Sequence, residues 1–540
     1  MDAGCLVPYS FPQNSFLSTL KMSMQTPPTL LELAAKRLLR DQASAIAALE
    51  HLPAELFPPL FLLAFHSRQH QESLKAMARA WPYPVLHLGG LMRRPRVKVL
   101  KAVLDGLDVL LAQEVRPRRC KLRVLDLRNL GADFWRMWCG DSTQKHSSMV
   151  PVAVHRSSPN MEHPLAPVEV FLDLNFNERK REEFFMYVIQ WAQQREGLVH
   201  LCCKTLRIAV VPFQRLRQVL DAVQLDCIQE VEVNCIWDLP TLGTFALYMG
   251  QMGNLQKLSL SYIQLLSDED EDENEDENEE ENIEEEEELE EEEEWQREEQ
   301  EDQEEQEEQE EAEEQASFSQ FLSQMLRLQH LRELDMNSPS FLRGRLDQML
   351  RCLQTPLEKF AISHCQRLTH SDLTHLFQCP NLRQLKSLRL YCVSLADFSP
   401  EPLRALLEAV APTLQDLGLD NCAMVDSQIE AILPVLSRCH QLSFFTISEN
   451  RLSLATVEKL LRHTARLRSL EMELYPVPLE CYTTQDTVNQ ERLDAIQAEL
   501  TGILRELGQP RSILLVTKHS GYREYYDVAF SCQGACSVPL

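Results

Sequence analysis

LEKFAISHC at residues 357–365 and LKSLRLYCV at residues 385–393 share one pattern of apolar residues, and the chain repeats it three more times downstream. The later copies are LQDLGLDNC from Leu414, LSFFTISEN from Leu442 and LRSLEMELY from Leu467. Each copy has apolar residues at its first, fourth and sixth positions, and the starts lie 28, 29, 28 and 25 residues apart. A period of this length with this pattern is typical of leucine-rich repeats.

The pattern has a simple physical reading. Apolar residues at the fourth and sixth positions alternate as on a strand, so both point to one side. The intervening segments read as helices; 399–414, for example, has Pro402 in its first turn and apolar residues at helical spacing. One such repeat cannot bury its apolar side alone, whereas stacked repeats bury a continuous core. The sequence therefore predicts an α/β leucine-rich repeat solenoid, a horseshoe with its strands on the concave face.

The ninth position of the template is expected to close the turn after each strand. Asn450 stands there in one copy, where its side chain can hydrogen-bond the backbone of the turn. Cys365 and Cys422 occupy the same position in two other copies, where a small buried thiol fits.

The net charge of −29 comes from one segment. Residues 268–315 contain 34 Asp and Glu residues and a single base, Arg297, whereas the rest of the chain carries a charge of about +4. The near-neutral remainder gives no electrostatic case for nucleic-acid binding. We expect the acidic segment to be a disordered, solvated insertion that is partly helical in its Glu- and Gln-rich part, the alternative being a segment that binds basic proteins.

Sixteen cysteines raise the question of the redox compartment. Many lie in or beside the strand templates, the first 25 residues contain no long apolar core, and no run of 18 apolar residues occurs. We therefore expect an intracellular protein with reduced thiols and no membrane span. Cys532 and Cys536 form a close pair without a second pair, so no zinc site is expected, and no nucleotide-binding or hydrolase motif occurs. The sequence thus predicts a protein that is not an enzyme and that needs no cofactor.

The boundaries follow from the change of pattern along the chain. Strand templates also occur at 122–130, 203–208, 228–236, 255–263 and 331–336, and helices are expected at 184–194, 318–329 and 489–507 before a last strand at 513–517. We predict a disordered lead-in (1–24), an N-terminal helical docking and cap region (25–118), a repeat array (119–480) containing the insertion (268–315), and a C-terminal cap (481–540).

Two short patterns lie on the N-terminal helices. Thr29, Leu30, Ala34 and Leu38 resemble the BC box with which ubiquitin-ligase receptors bind elongin C, with Ala34 where Cys is commonest. Apolar residues at this spacing form one stripe that can enter a hydrophobic groove of a partner. The same leucines could instead be the core side of a capping helix.

The second pattern follows downstream. Leu52, Pro53, Leu56 and Leu60 resemble the cullin 2 box. The start of this stretch, LPAEL, also resembles an F-box, which is a rival docking motif of the same functional class.

Long stretches of the chain resemble the PRAME family of leucine-rich repeat proteins. They include AIAALEHLPAELFPPLF (45–61), VLDLR (124–128), PVEV (167–170), LCCK (201–204), FLRGRLDQ (341–348), SPEPLRALLE (399–408), PTLQDL (412–417) and LYPVPLE (474–480). The resemblance implies a substrate receptor of a cullin 2 ubiquitin ligase with elongins B and C, which holds a protein substrate on its concave face. The acidic insertion departs from the family pattern.

The resemblance also implies an alternative function, repression of retinoic acid receptor signalling with effects on differentiation, proliferation and apoptosis. The motif for receptor contact would be LxxLL, which occurs twice: Leu107, Leu110 and Leu111 form the first copy, and Leu403, Leu406 and Leu407 form the second. The second copy lies on a repeat helix whose leucines are expected to pack on the sheet. Both functions would place the protein in the cytoplasm and nucleus.

Overall fold

The structure, a computed structural model, describes residues 29–66, 70–91, 97–113, 117–128, 167–176, 179–209, 211–265, 309–365, 368–485, 487–508, 512–519 and 522–529. The predicted lead-in at 1–24, most of the acidic segment (268–308) and the pair of Cys532 and Cys536 lie outside these residues. The chain divides into two compact units, one comprising 1–83, 97–121 and 133–154 and the other 84–96, 122–132 and 155–540.

The first unit is helical. Its α-helices are α1 (Leu30–Arg40), Gln42–Ala48, Phe57–His66, Gln71–Arg79 and Val97–Leu111. Trp81 is fully buried, with its ring centroid 5.4 Å from that of Phe61 and 6.3 Å from that of Phe57. The helices Gln71–Arg79 and Val97–Leu111 meet at Gly106. A Cβ atom there would lie 2.5 Å from the Lys75 carbonyl oxygen, so this contact requires glycine.

The second unit is built on one sheet. Its strands are β1 (Val85–His87), β2 (Val124–Asp126), β3 (Val168–Asn175), β4 (Val199–Ile208), β5 (Glu230–Asp238), β6 (Lys257–Gln264), β7 (Glu333–Pro339), β8 (Lys359–Ser363), β9 (Ser387–Tyr391), β10 (Asp416–Asp420), β11 (Phe444–Thr446), β12 (Met472–Pro476), β13 (Ser512–His519) and β14 (Tyr522–Ala529). Neighbours in sequence are neighbours in the sheet, and the thirteen strands β1–β13 pair in parallel. β14 pairs antiparallel to β13 and was not expected from the sequence.

Helices connect most of these strands. They are Arg179–Gln193, Phe213–Leu220, Leu239–Met249, 309–325, Leu346–Arg351, His370–Gln378, Pro400–Val410, Asp426–Leu436, Leu454–Thr464 and Gln490–Glu506. The helix over 309–325 includes the last seven residues of the acidic segment, 309–315. Among the described residues no helix is both long and apolar enough to cross a membrane.

The turn after each strand has a recurrent backbone conformation. The eighth template position has a positive φ in six successive copies, at Tyr262, Ser338, His364, Cys392, Asn421 and Glu449. Residues other than glycine rarely adopt this conformation, so its recurrence shows that the turns share one geometry.

The Asn450 side chain forms hydrogen bonds with the backbone of two neighbouring turns. The sequence predicted bonds within its own turn but not those to the preceding turn. Its Oδ1 accepts hydrogen bonds from the backbone N–H groups of Cys422 (3.1 Å) and Met424 (3.0 Å), both in the preceding turn. Its Nδ2 donates to the carbonyl oxygens of Leu419 (2.6 Å) and Ile447 (2.9 Å). The side chain is 4% exposed, so these bonds satisfy groups that water does not reach.

The register of the fifth template was predicted wrongly. The sequence suggested a start at Leu467, but Phe444 of β11 pairs with Met472, which moves the start to Leu470 and the period to 28 residues. Glu473 and Tyr475 therefore fill the fourth and sixth positions, where leucines are usual.

A hydrogen bond lets the carboxyl group of Glu473 occupy this apolar position. Glu473 is 4% exposed, and its Oε2 accepts a hydrogen bond of 2.6 Å from the Tyr475 hydroxyl, which lies 3.2 Å from Thr464 Oγ1. A buried carboxyl group is tolerated only with such partners, and a pattern of apolar residues cannot indicate them.

Candidate docking surfaces

Helix α1 carries the residues that resemble the elongin-binding box, and its first turn is fixed by a capping box. Thr29 Oγ1 accepts a hydrogen bond from the Glu32 backbone N–H, and Glu32 Oε2 accepts one from the Thr29 N–H, both at 3.2 Å. Such reciprocal capping stabilises a helix start by about 1 kcal/mol. Side chains therefore satisfy two backbone N–H groups at the start of the helix that carries this pattern.

One side of α1 is packed and the other faces solvent. Ala35 and Leu39 are 8% and 2% exposed and form the packed side. Leu30 is 86% exposed, Ala34 is also exposed and Leu38 is half-buried, so three of the predicted anchor residues lie at or near the surface. Leu33, which is 49% exposed, stands outside the box pattern and lies on the side of Leu30 away from Ala34 and Leu38.

The residues that resemble the cullin 2 box are less accessible. Pro53 is exposed, and Leu52 and Leu56 are half-buried. Leu60 is 3% exposed and belongs to the core of the helical unit. The first three residues thus keep part of their surface accessible to solvent, while Leu60 is buried in the helix that follows them.

An arginine fixes the backbone at the start of this second box. The Arg119 guanidinium donates hydrogen bonds to the carbonyl oxygens of Leu49 and Leu52 and lies 6.0 Å from the centre of the Phe57 ring. Leu49 and Leu52 lie directly after the helix that ends at Ala48. The two hydrogen bonds therefore hold the backbone that connects this helix to the second box. No sequence pattern indicated Arg119, because it lies about 70 residues away from its partners.

The LxxLL leucines are packed in the interior. Leu107 and Leu110 are 0% and 1% exposed, and only Leu111 is half-buried in the first copy. In the second copy, Leu403, Leu406 and Leu407 are all at most 2% exposed. The leucines of the repeat-helix copy are therefore buried.

The sheet has an open face, which we define as the side opposite the buried fourth and sixth template positions. From β4 to β9 its third and fifth positions carry four bases and four acids: Arg207, Lys257, Lys359, Arg389, Glu230, Glu232, Glu333 and Asp335. Neighbouring strands pair these charges, as in Lys359–Glu333 at 2.8 Å and Arg207–Glu232 at 3.1 Å. Exposed ion pairs add little stability, so this part of the face is best described as polar and electrically balanced.

A buried carboxylate lies near the other end of the sheet, on β2. Asp126 is 1% exposed; the Arg128 side chain donates to it at 2.9 and 2.7 Å, and His87 Nδ1 lies 3.2 Å from it. Burial alone would raise the pKa of Asp126, but the hydrogen bonds from Arg128 and His87 and the positive charge of Arg128 hold it at about 2. The group is an ion pair that stabilises the fold rather than a proton donor.

Ten of the twelve described cysteines are buried, and none of the twelve is in a disulfide bond. Burial raises the pKa of Cys203, Cys365 and Cys422 to about 12. A buried thiol with such a pKa is a poor nucleophile. Within the described residues no group of three or more His, Cys, Asp or Glu side chains is placed to hold a metal ion.

A cleft of about 700 Å³ lies between the helices Phe213–Leu220 and Leu239–Met249. Arg217, Asp221 and Tyr248 are among its lining residues, and the Tyr248 hydroxyl donates to Asp221 at 2.8 Å. Burial, followed by the contact with Asp221, raises the pKa of Tyr248. None of the residues singled out in the sequence lines this cleft.

Comparison with known proteins confirms the family resemblance that the sequence indicated. Residues 27–135 match the PRAME N-terminal domain, and residues 168–278 and 304–536 match the PRAME C-terminal domain. PRAME family member 12 of Homo sapiens is 44% identical over 525 residues, covering 95% of this chain and 99% of that relative. PRAME family member 20 of Homo sapiens is 45% identical over 516 residues, covering 94% of this chain and 98% of that relative. The names of these relatives state family membership and no catalytic activity. Because the matches span both units and nearly the whole length of the relatives, this chain belongs to the PRAME family.

Proposed function

We propose that this protein is a non-catalytic substrate-recognition adaptor of a cullin 2–elongin B/C ubiquitin ligase. The observation that carries the proposal is the exposure of Leu30, at 86%, on a capped helix whose other side is packed. A leucine this exposed costs hydration free energy in the free protein, which burial in a partner's groove would recover at roughly 25 cal/mol per Å². The exposure of Ala34 and the partial exposure of Leu38 extend the same stripe.

The proposal assigns separate tasks to the two units. The helical unit would bind elongin C through α1, with Leu52, Pro53 and Leu56 beside cullin 2. The strand-and-helix segments of the other unit would be leucine-rich repeats. In support of this, strand pairing and the positive φ of the turn recur at the template period, and Asn450 joins two neighbouring turns by hydrogen bonds. The open face of the sheet would then be the concave face that recruits a protein substrate.

The experiment is co-purification of the full chain with elongins B and C after co-expression. Leu30→Ser removes the exposed anchor and should reduce elongin recovery at least about tenfold, since losing a buried leucine from an interface costs on the order of 2 kcal/mol. The fold should persist, because Leu30 makes little contact within the protein.

Leu33→Ser is the matched control, because Leu33 lies on the same helix and is 49% exposed but stands outside the box pattern. Full recovery with Leu33→Ser and loss with Leu30→Ser would support the proposal. Equal recovery with Leu30→Ser and the unaltered chain would refute it, and equal losses with both substitutions would show a nonspecific apolar helix.

The corepressor alternative has less support. A receptor groove would have to take LxxLL leucines of which five are at most 2% exposed. Docking them would require opening the packed helices, at a cost comparable to the stability of a domain. We therefore propose the adaptor role alone, acting in the cytoplasm and nucleus.

A further inference from the structure

Two thiols of the second unit share one hydrogen-bond acceptor. Cys202 lies on β4, and Cys227 is the last residue of the 3₁₀ helix Leu225–Cys227, which precedes β5. Gln224 Oε1 accepts hydrogen bonds from Cys202 Sγ at 3.4 Å and from Cys227 Sγ at 3.7 Å. Two sulfur atoms that bind the same oxygen atom lie close to each other, although they belong to different elements of the fold.

The backbone holds both thiols beside this oxygen atom. Cys202 and Gln224 form an isolated parallel bridge, and the Gln224 N–H donates to the Leu201 carbonyl oxygen at 2.9 Å. The Cys227 N–H donates to the Gln224 carbonyl oxygen at 3.1 Å. Gln224 is thus bound to β4 through its N–H group and to the 3₁₀ helix through its carbonyl group. The proximity of the two thiols is therefore a property of the main-chain fold.

The two thiols differ in their access to solvent. Cys227 is half-buried, whereas Cys202 is 3% exposed. Cys203, the next residue of β4, points to the opposite side of the sheet, where it pairs with Leu172 and is 0% exposed. An oxidant from solvent therefore reaches Cys227 first, and the thiol beside it at the shared acceptor is Cys202.

We propose that Cys202 and Cys227 form a reversible disulfide bond when the protein is exposed to hydrogen peroxide. The Cys227 thiolate attacks one oxygen atom of the peroxide, so that an S–O bond forms, the O–O bond breaks and the departing hydroxide takes up a proton to become water. Cys227 is then a sulfenic acid. Cys202 Sγ attacks the Cys227 sulfur atom; the S–S bond forms, the S–O bond breaks, and the departing hydroxide becomes water with the proton of Cys202. The pair of thiols is thereby oxidised by two electrons, and the peroxide is reduced to water.

The second step is the slower one. Burial, followed by a hydrogen bond with the Cys227 thiol, raises the pKa of Cys202 to about 12, so only a small fraction of Cys202 is ionised near neutral pH. The fixed position of Cys202 beside the sulfenic acid compensates in part, because the reaction is intramolecular. The sulfenic acid of Cys227 should therefore accumulate before the disulfide closes, and a reducing thiol reopens the disulfide by exchange.

The disulfide would act on the wall of the cleft between the helices Phe213–Leu220 and Leu239–Met249. Leu225 and Asp226, which precede Cys227 in the 3₁₀ helix, line this cleft. A covalent bond from Cys227 to β4 prevents this short helix from opening away from the strand. Oxidation would thus stiffen one wall of the cleft, and this inference does not depend on the adaptor role.

The test is titration of the reduced full chain with hydrogen peroxide under native conditions. Remaining thiols are then blocked, the protein is digested without reduction, and the peptides are identified by mass spectrometry. Trypsin with a glutamate-specific protease releases Cys202 in the peptide 197–204 and Cys227 in the peptide 218–230, which contains no other cysteine. The two peptides should appear as a disulfide-linked pair as the peroxide concentration rises, and the pair should disappear after treatment with dithiothreitol.

Cys202→Ala and Cys227→Ala should each abolish the linked pair. Cys203→Ala is the matched control, because Cys203 lies in the same peptide as Cys202 but faces the core, so the pair should form as in the unaltered chain. Cys202→Ala removes the second step and should increase the fraction of Cys227 that dimedone traps as sulfenic acid. Cys227→Ala changes a half-buried position and so keeps the test usable if the buried substitution at Cys202 impairs folding.

Three results would overturn the inference. They are the absence of the linked pair at peroxide concentrations that convert Cys227 to sulfenic acid, a pair that persists in Cys202→Ala, and a pair that is lost in Cys203→Ala. Elongin co-purification tests the adaptor role separately, because the elongin-binding residues belong to α1 and not to β4 or the 3₁₀ helix. Elongin recovery should be the same for the reduced and the oxidised chain.

Discussion

Asn450→Ala is the sharpest test of how the repeats are joined. The substitution leaves two buried backbone N–H groups, those of Cys422 and Met424, without an acceptor, and it removes the donor to the Leu419 and Ile447 carbonyls. An unsatisfied buried group costs about 1–3 kcal/mol. Counting mainly the two N–H groups, we expect a loss of about 3–5 kcal/mol in the local free energy of opening, which is large for a single substitution.

Hydrogen exchange measured by mass spectrometry is the suitable assay, because it reports the opening of each segment separately. Peptides covering 414–425 should exchange faster by about a hundredfold or more, since about 1.4 kcal/mol corresponds to a factor of ten. Peptides covering β4 and β5 should exchange as in the unaltered chain, because they lie several strands away.

Asn381→Ala provides the comparison. Asn381 is half-buried, and its Nδ2 donates a hydrogen bond of 2.8 Å to the Leu353 carbonyl oxygen. Its loss should cost about 1 kcal/mol and accelerate local exchange about fivefold. If Asn450→Ala changes exchange over 414–425 by no more than Asn381→Ala changes it around its own site, the reasoning from unsatisfied N–H groups is refuted.

Two further predictions concern ionisation. The pKa of Asp126 is about 2 in the folded protein against an ordinary value of 3.8, so its contribution to stability is present above about pH 4 and is lost as the pH falls towards 2. The difference in Tm between the unaltered chain and Asp126→Asn should therefore shrink from about pH 6 to about pH 3, and a constant difference would contradict this. Burial raises the pKa of Cys422 to about 12, so iodoacetamide at about pH 8 should label Cys422 only after unfolding; rapid labelling of the native protein would show that the thiol is accessible.

The sequence predicted the repeating part well where leucines carry the pattern. Four of the five templates, those from Leu357, Leu385, Leu414 and Leu442, have the predicted register, because their fourth and sixth residues are apolar and face the core. The helices expected at 399–414 and 489–507 are also confirmed, as Pro400–Val410 and Gln490–Glu506. Periodicity is a local property, and it suffices to place these elements.

The pattern failed where a polar group takes an apolar position. In the predicted register, the apolar template positions are filled by Leu467, Leu470 and Met472. Strand pairing instead places Glu473 and Tyr475 at the buried fourth and sixth positions. Three side chains form hydrogen bonds with one another in this register, and one of them, Thr464, belongs to the preceding helix. A buried carboxyl group is compatible with the fold only once these partners are in place.

The order of the repeats, their strands and their helices was thus determined by the sequence alone, because regularly spaced leucines can be buried in only one way along a strand or a helix. Only the tertiary structure decided which of these side chains remain exposed to solvent. Leu30 and Leu39 are both leucines of one helix, yet one is 86% and the other 2% exposed. Likewise, Gly418 is buried beside Arg389 and Thr446, which the neighbouring strands bring to it. Exposure depends on what the rest of the chain covers, and that is settled by packing between segments far apart in sequence.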